Sequence, residues 1–199
     1  MARMLPRVID PDTPSPGERD AFRRLRDDPG TADWTVLHSF DLPNHVTQNH
    51  GEMDFLALIP GLGILCIEVK AHRKAHRADD GMWHMGRQEP RPKGPFQQAR
   101  ENMHSLRDLL QKGDFVLPHI PLSFLVLFTH ARFEETSTEW HPWEVADLLD
   151  YQRESIATIC HRSLTQARAH MGREKASGPS REECEQVVSF LRPRWETST

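Results

Sequence analysis

The chain has 199 residues, 27% of them charged and 37% hydrophobic, proportions that suit one globular domain and exclude both a mini-protein and two large domains. A net charge of −4 excludes nucleic-acid binding through overall positive charge, so any such contact needs a local patch. Cys66, Cys160 and Cys184 are widely spaced and odd in number, which leaves neither a disulfide framework nor a CxxC zinc site and points to a reducing compartment. No apolar run reaches the length of a signal peptide or of a membrane span of roughly 20 residues. A cytoplasmic location and no membrane partner are therefore expected.

Residues 1–14 read as an extended lead-in, ending within the Pro-rich PDTPSPG of 11–17. Ser15-Pro16-Gly17-Glu18 fits an S-x-x-E capping box with Pro at the first helical position, and Ala21, Phe22 and Leu25 follow at helical spacing. Asp28-Pro29-Gly30 ends that helix, and Trp34 to Phe40 reads as a strand followed by a polar loop containing His45 and His50. Glu52 to Ile59 and Gly63 to Lys70 are β-rich runs separated by Pro60-Gly61, a connection so short that it demands an antiparallel hairpin.

Trp83 marks a further short strand, and RQEPRPKG over 87–94 leads into a helix from Pro95 to Lys112 with Ala99, Met103, Leu106 and Leu110 as its apolar stripe. Leu122 to Thr129 is a nearly continuous apolar run, as for a strand buried on both faces. The remainder reads as helices over Trp143–Tyr151, Arg153–Met171 and Arg181–Leu191. This order implies an α/β fold, a mixed β-sheet flanked by helices.

The hairpin carries the chemistry. Strand alternation puts Ile64, Cys66, Glu68 and Lys70 on one face, and Asp54 lies on the preceding strand across a short turn, where the register, which alternation does not fix, decides whether it meets Glu68. Ionised acids at the end of so apolar a strand cost several kcal/mol in order of magnitude if desolvated. Mg²⁺, which favours one or two carboxylates plus water and phosphate oxygens, would offset that cost at Asp54 and Glu68. Lys70 would then orient or deprotonate water or stabilise charge developing on phosphate. A simple ion pair of Lys70 with either acid explains the same residues. From Lys70 to Arg100 there are eight Lys or Arg against three acids, whereas Phe133 to Cys160 has seven acids and one Arg. Arg73, Lys74 and Arg77, beside the hairpin, are therefore candidate phosphate contacts.

The run GEMD, 13 residues, then EVK, preceded by Gly17-Glu18 and followed by PFQQARENMHSL, resembles the NERD (nuclease-related) domain, a branch of the PD-(D/E)XK nuclease superfamily. The resemblance spans about Gly17 to Thr129. It implies a restriction-endonuclease-like sheet, Mg²⁺ (with Mn²⁺ substituting) on Asp54 and Glu68, and Lys70 acting on water and the scissile phosphate. It also implies that Glu18 faces the site from the first helix and that Gln98 reaches it from the helix after the core strands. Glu52 shares the strand face of Asp54. Two departures stand out: no Pro-Asp precedes the hairpin acid, and Gly94-Pro95 replaces the more usual Asn-Pro. Glu18 is also explained by capping alone, and Gln98 by a solvated helix face.

The expected division is a lead-in over 1–14, a nuclease-like core over 15–135 and a mainly helical C-terminal extension over 136–199. The expected activity is Mg²⁺-dependent hydrolysis of DNA, leaving a 5′-phosphate and a 3′-hydroxyl by resemblance to the superfamily. The alternative is a non-catalytic nucleic-acid-binding or partner-docking module, with a helicase or ATPase as the partner the family implies; homodimerisation stays open. His72 and His76 have the i, i+4 spacing of helical ligands but no HExxH glutamate and no third ligand. Trp140, Trp143 and Trp195 suit either base stacking or packing, and the acidic surroundings of the first two favour packing.

Overall fold

The structure, a computed structural model, describes residues 1–42 and 51–196. Ser15 caps helix α1 (Pro16–Asp27) by accepting from the Glu18 N–H at 3.2 Å, half of the expected capping box. Strand β2 (Thr35–Leu42) runs antiparallel to β3 (Gly51–Ile59), which pairs antiparallel with β4 (Gly63–Lys70) through the expected turn. Helix α2 (Pro95–Lys112) then crosses to β7 (Leu122–Phe128), which lies parallel to β4.

Three features depart from expectation. Arg3–Leu5, inside the lead-in, forms β1, parallel to β2 at the sheet edge. The expected short strand at Trp83 (β6, Trp83–Met85) pairs with an unexpected one, Ala75–Arg77 (β5), in a separate two-stranded ribbon, so His72 and His76 do not share a helix; His76 instead stacks on His84 at 4.8 Å. Residues 143–151 are not one helix. Val145–Ala146 (β8) pairs with the open edge of β7, and the helix begins only at Leu148, where Asp147 accepts from Leu149 N–H (2.8 Å) and Asp150 N–H (3.3 Å). An available strand edge and a strong cap override the helical apolar spacing of the segment. The main sheet is thus six-stranded and mixed, in the order β1-β2-β3-β4-β7-β8.

Both sheet faces are covered. On one, Leu56, Cys66, Phe124 and Val126 pack against Phe96, Ala99, Leu106 and Leu110 of α2 and against Val187 and Leu191 of α5 (Arg181–Glu196). On the other, Phe55, Ala57, Ile67 and Leu127 pack against Ala21, Phe22 and Leu25 of α1 and against Ile159, Cys160 and Leu164 of α4 (Ile156–His170). Burial on two faces explains why β4 and β7 read as continuous apolar runs. The short helix α3 (Leu148–Arg153) precedes α4. All three cysteines are buried and unpaired. No helix among the described residues is long and apolar enough to cross a membrane.

One polar fastening ties the β3–β4 turn to the C-terminal helices. Arg168, 5% exposed, donates to the carbonyls of Gly61 (3.0 Å), Leu62 (3.1 Å), Arg173 (3.3 Å) and Ala176. Removing it strands several acceptors at once, and hydrogen bonds to a charged group contribute roughly 1.5–3 kcal/mol each. Arg168→Ala is expected to lower stability by at least about 2 kcal/mol in urea denaturation, with little change in the denaturant slope.

Candidate active site

The β3–β4 ladder ends at Phe55 opposite Ile67. One step further the same register carries Asp54 to the position opposite Glu68, and there the strands separate. The β2–β3 register likewise passes from His38–Phe55 to Phe40–Met53, and Ser39, which lies between, has a left-handed φ of 52°. Released from the ladder, Asp54 replaces the missing backbone acceptor with its own side chain: Oδ2 accepts from the Val69 N–H at 2.7 Å. The bond fixes the Asp54 carboxylate beside Glu68.

Glu68 is only 3% exposed. Its Oε1 accepts from Lys70 Nζ at 2.5 Å, so the ion pair left open by the sequence exists but is not a surface one. Its Oε2 is buried without a hydrogen-bond partner. A buried acceptor in that state costs on the order of 1–3 kcal/mol, and more when charged. Burial, then the Glu68 charge and then that of Glu18 raise Asp54 well above the ordinary carboxylate range, against the opposing pull of Lys70 and the Val69 N–H. Burial likewise raises Glu68, with Lys70 opposing and Glu18 and Glu52 adding to the rise. Burial alone would lower Lys70, but Glu68, Asp54 and Glu18 outweigh it and hold the ammonium above its usual value.

Glu18 therefore does not close the capping box. Its carboxylate lies 3.6 Å from Nε2 of His38 and acts electrostatically on Asp54, Glu68 and Lys70. Gly17 makes this approach possible, because a Cβ there would stand 2.5 Å from Thr129 Oγ1 and 2.9 Å from Ala71 Cβ. Only a glycine lets α1 lie this close to the ends of β4 and β7. Gln98 and Lys70 line one small cleft together with His72 and Arg91. The start of α2 is held by Trp83, whose indole would be 2.1 Å from a Cβ on Gly94, and by Phe96, stacked on Trp140 at 4.3 Å. The Trp83 indole against Gly94 requires the departure from Asn-Pro, and the stack on Phe96 places Trp140 in the core.

Two residues hold the site through contacts that spacing alone does not reveal, although Asn102 shares a polar helix stripe with Gln98. His38 is buried between Phe55 (4.8 Å, stacked) and Phe22 (5.6 Å, edge-on); a single histidine in the apolar run Trp34–Phe40 was the available signal. Asn102, 3% exposed, donates from Nδ2 to the Glu52 carbonyl at 3.1 Å and ties α2 to β3 two residues before Asp54. Glu52 itself is exposed. Arg73 and Lys74 are exposed immediately beyond Lys70. Arg77 is instead engaged: it pairs with Glu139 at 2.8 Å and donates to the Gly81 carbonyl at 3.2 Å. Trp143 stacks on His141 at 4.4 Å. His45, His50 and the Trp195 side chain lie outside the described residues.

Against this geometry, residues 13–129 match the family model described as the nuclease-related domain, NERD. The chain belongs to the NERD family. No curated protein and no solved structure matches it. The mixed sheet flanked by helices is consistent with the restriction-endonuclease-like fold expected of the family. Among the described residues no group of three or more His, Cys, Asp or Glu is arranged to hold a metal ion. Asp54 and Glu68 offer an oxygen-only site with one buried oxygen lacking a partner, which fits a hard divalent cation completed by water and substrate oxygens.

Burial shifts proton release from Asp54 and Glu68 to higher pH in the folded chain than in the unfolded chain, so this cluster lowers stability as pH rises through the ordinary carboxylate range and above it. Asp54→Asn keeps an acceptor for Val69 and removes one like charge. Without divalent ions it is expected to melt at or above the wild-type temperature, by roughly 2–4 °C per kcal/mol gained, with the gap widening as pH rises from about 4 to about 7. Mg²⁺ should raise the melting temperature of the wild type and not of Asp54→Asn, as differential scanning calorimetry would measure.

Proposed function

We propose that the chain is a metal-dependent nuclease that hydrolyses phosphodiester bonds of DNA. The observation that carries the reading is the partnerless, buried Glu68 Oε2 beside Asp54, an arrangement that disfavours the empty site and suits a bound cation. Mg²⁺ held by Asp54 and Glu68, with Mn²⁺ able to replace it, would supply Lewis-acid polarisation of the phosphate and a more acidic water.

The remaining chemistry belongs to the protein. Lys70, kept protonated by its carboxylate neighbours, places a cation and N–H donors where negative charge grows on the phosphate during in-line displacement. Gln98, on the same cleft, orients water or a phosphate oxygen by hydrogen bonding. Glu18, at the start of α1, adds negative charge that strengthens the hold on a cation, and His38 fixes its direction. Arg73 and Lys74, exposed beyond Lys70, contact the backbone of the strand being cut. Arg77, bound to Glu139, braces the β5–β6 ribbon against the acidic segment.

The purified 199-residue chain is to be incubated with supercoiled plasmid and with end-labelled single-stranded DNA in Mg²⁺, Mn²⁺ or EDTA. Cleavage is expected in either metal and not in EDTA, and Asp54→Ala and Lys70→Ala should each reduce it by at least about a hundredfold with circular dichroism unchanged. Undiminished cleavage by either variant overturns the assignment. DNA binding without cleavage under any of these conditions would support the non-catalytic module instead.

A further inference from the structure

A second cavity, of about 730 Å³, opens between α2, the first residues of β7, the 141–144 turn and the end of α4. Its volume lies in the range of small-ligand pockets, and it shares no lining residue with the cleft at Lys70. Ser123 at its floor pairs with Leu65, whereas Glu68 and Lys70 pair with Val126 and Phe128. At about 3.3 Å per residue the cavity is roughly 10–17 Å from those two residues along the strand. Among the described residues β8 covers β7 only at Val126 and Leu127. The edge at Leu122–Phe124 therefore borders the cavity rather than another strand.

The lining combines three chemistries. Ile120, Leu122 and Phe124 make an apolar floor. Trp143, stacked on His141 at 4.4 Å with His170 tilted against both rings, makes an aromatic wall. Arg100, Arg107 and Arg173 supply the cations. Arg100 is held 5.7 Å above the Phe124 ring, with Nη2 donating to the Glu139 carbonyl. Arg173 Nη1 donates to the Leu117 carbonyl at 3.4 Å, and Arg107 Nη2 lies 2.6 Å from His104 Nδ1, which leaves each of the three guanidinium groups further N–H donors for a ligand. Burial, and then the charges of Arg107 and Arg100 with only Asp108 opposing, hold His104 below its ordinary value, a sign of the positive field there. Of the two acids on the lining, Glu144 is committed to the His141 N–H at 2.8 Å, and Asp108 is exposed.

An inorganic anion would use the arginines and leave the floor and the indole without a partner. A purely apolar ligand would desolvate the arginines without compensation. A ligand with a planar ring and a terminal phosphate satisfies both halves. We propose that this cavity binds a nucleoside 5′-phosphate, with its base against the apolar floor and Trp143 and its phosphate at Arg100 and Arg107. The site is independent of the carboxylate centre and does not require that the chain cut DNA.

Equilibrium dialysis of the full chain, without divalent ions, tests this with radiolabelled AMP, adenosine and inorganic phosphate as separate probes. Saturable binding of AMP is expected, about tenfold or more tighter than either adenosine or phosphate alone. Arg107→Ala, an exposed position whose replacement leaves the core intact, should weaken AMP binding about tenfold with circular dichroism unchanged, and Asp54→Asn should leave it unaffected. The proposal is overturned by absence of saturable AMP binding, by phosphate binding as tightly as AMP, by an Arg107→Ala protein that binds AMP normally, or by loss of binding in Asp54→Asn.

Discussion

Confining Glu68 beside Asp54 at the divergent end of two central strands is unfavourable for the protein alone, and much of the local architecture serves to maintain it. Lys70 neutralises one oxygen of Glu68, and the Val69 N–H holds one oxygen of Asp54. Neither reaches Glu68 Oε2. A folded chain keeps such a group only if its surroundings determine its position strongly, because relaxation toward solvent would relieve the cost. The two-sided apolar sheet provides that rigidity: β4 is covered by α2 on one face and by α1 and α4 on the other, so Glu68 has no route to water through the core.

The helices that complete the site are fixed by close packing. Gly17 admits the start of α1 against Thr129 and Ala71, and Gly94 admits the start of α2 against Trp83. The cluster of Trp83, Phe96, Phe128, Phe133 and Trp140 joins the β5–β6 ribbon, α2, the end of β7 and the acidic segment. The basic ribbon and that acidic segment are joined electrostatically at Arg77 and Glu139. The charge asymmetry along the chain thus has two uses: part of it is spent internally, and Arg73 and Lys74 remain exposed beside the cleft.

The carboxylate pair was legible because strand alternation and a short turn leave few ways to arrange GEMD and EVK. What alternation lacks is register, and it was register that set Asp54 opposite Glu68 and ended the ladder just before it. Glu18 was ambiguous for a physical reason: the same position serves a cap or a site, and only the close approach at Gly17 decides where its side chain turns. His38 and Asn102 were hidden because their roles depend on tertiary neighbours, the Phe22–Phe55 sandwich and the Glu52 carbonyl. The strands β1, β5 and β8 have two or three residues each, too few for periodicity to register; they exist because partner edges were available. Arg77 looked like its basic neighbours until Glu139, 62 positions away, was placed beside it.

The central claim is that a divalent cation belongs between Asp54 and Glu68. Crystals of the full chain grown with Mn²⁺, with anomalous scattering measured near the manganese edge, test it most directly. The account predicts one strong peak within ligand distance, about 2.0–2.3 Å, of both Asp54 and Glu68, with Lys70 Nζ drawn off Glu68 Oε1, and no peak in Glu68→Gln crystals. An empty centre with the Lys70–Glu68 pair intact at saturating Mn²⁺, or manganese bound elsewhere and indifferent to Glu68→Gln, would contradict it.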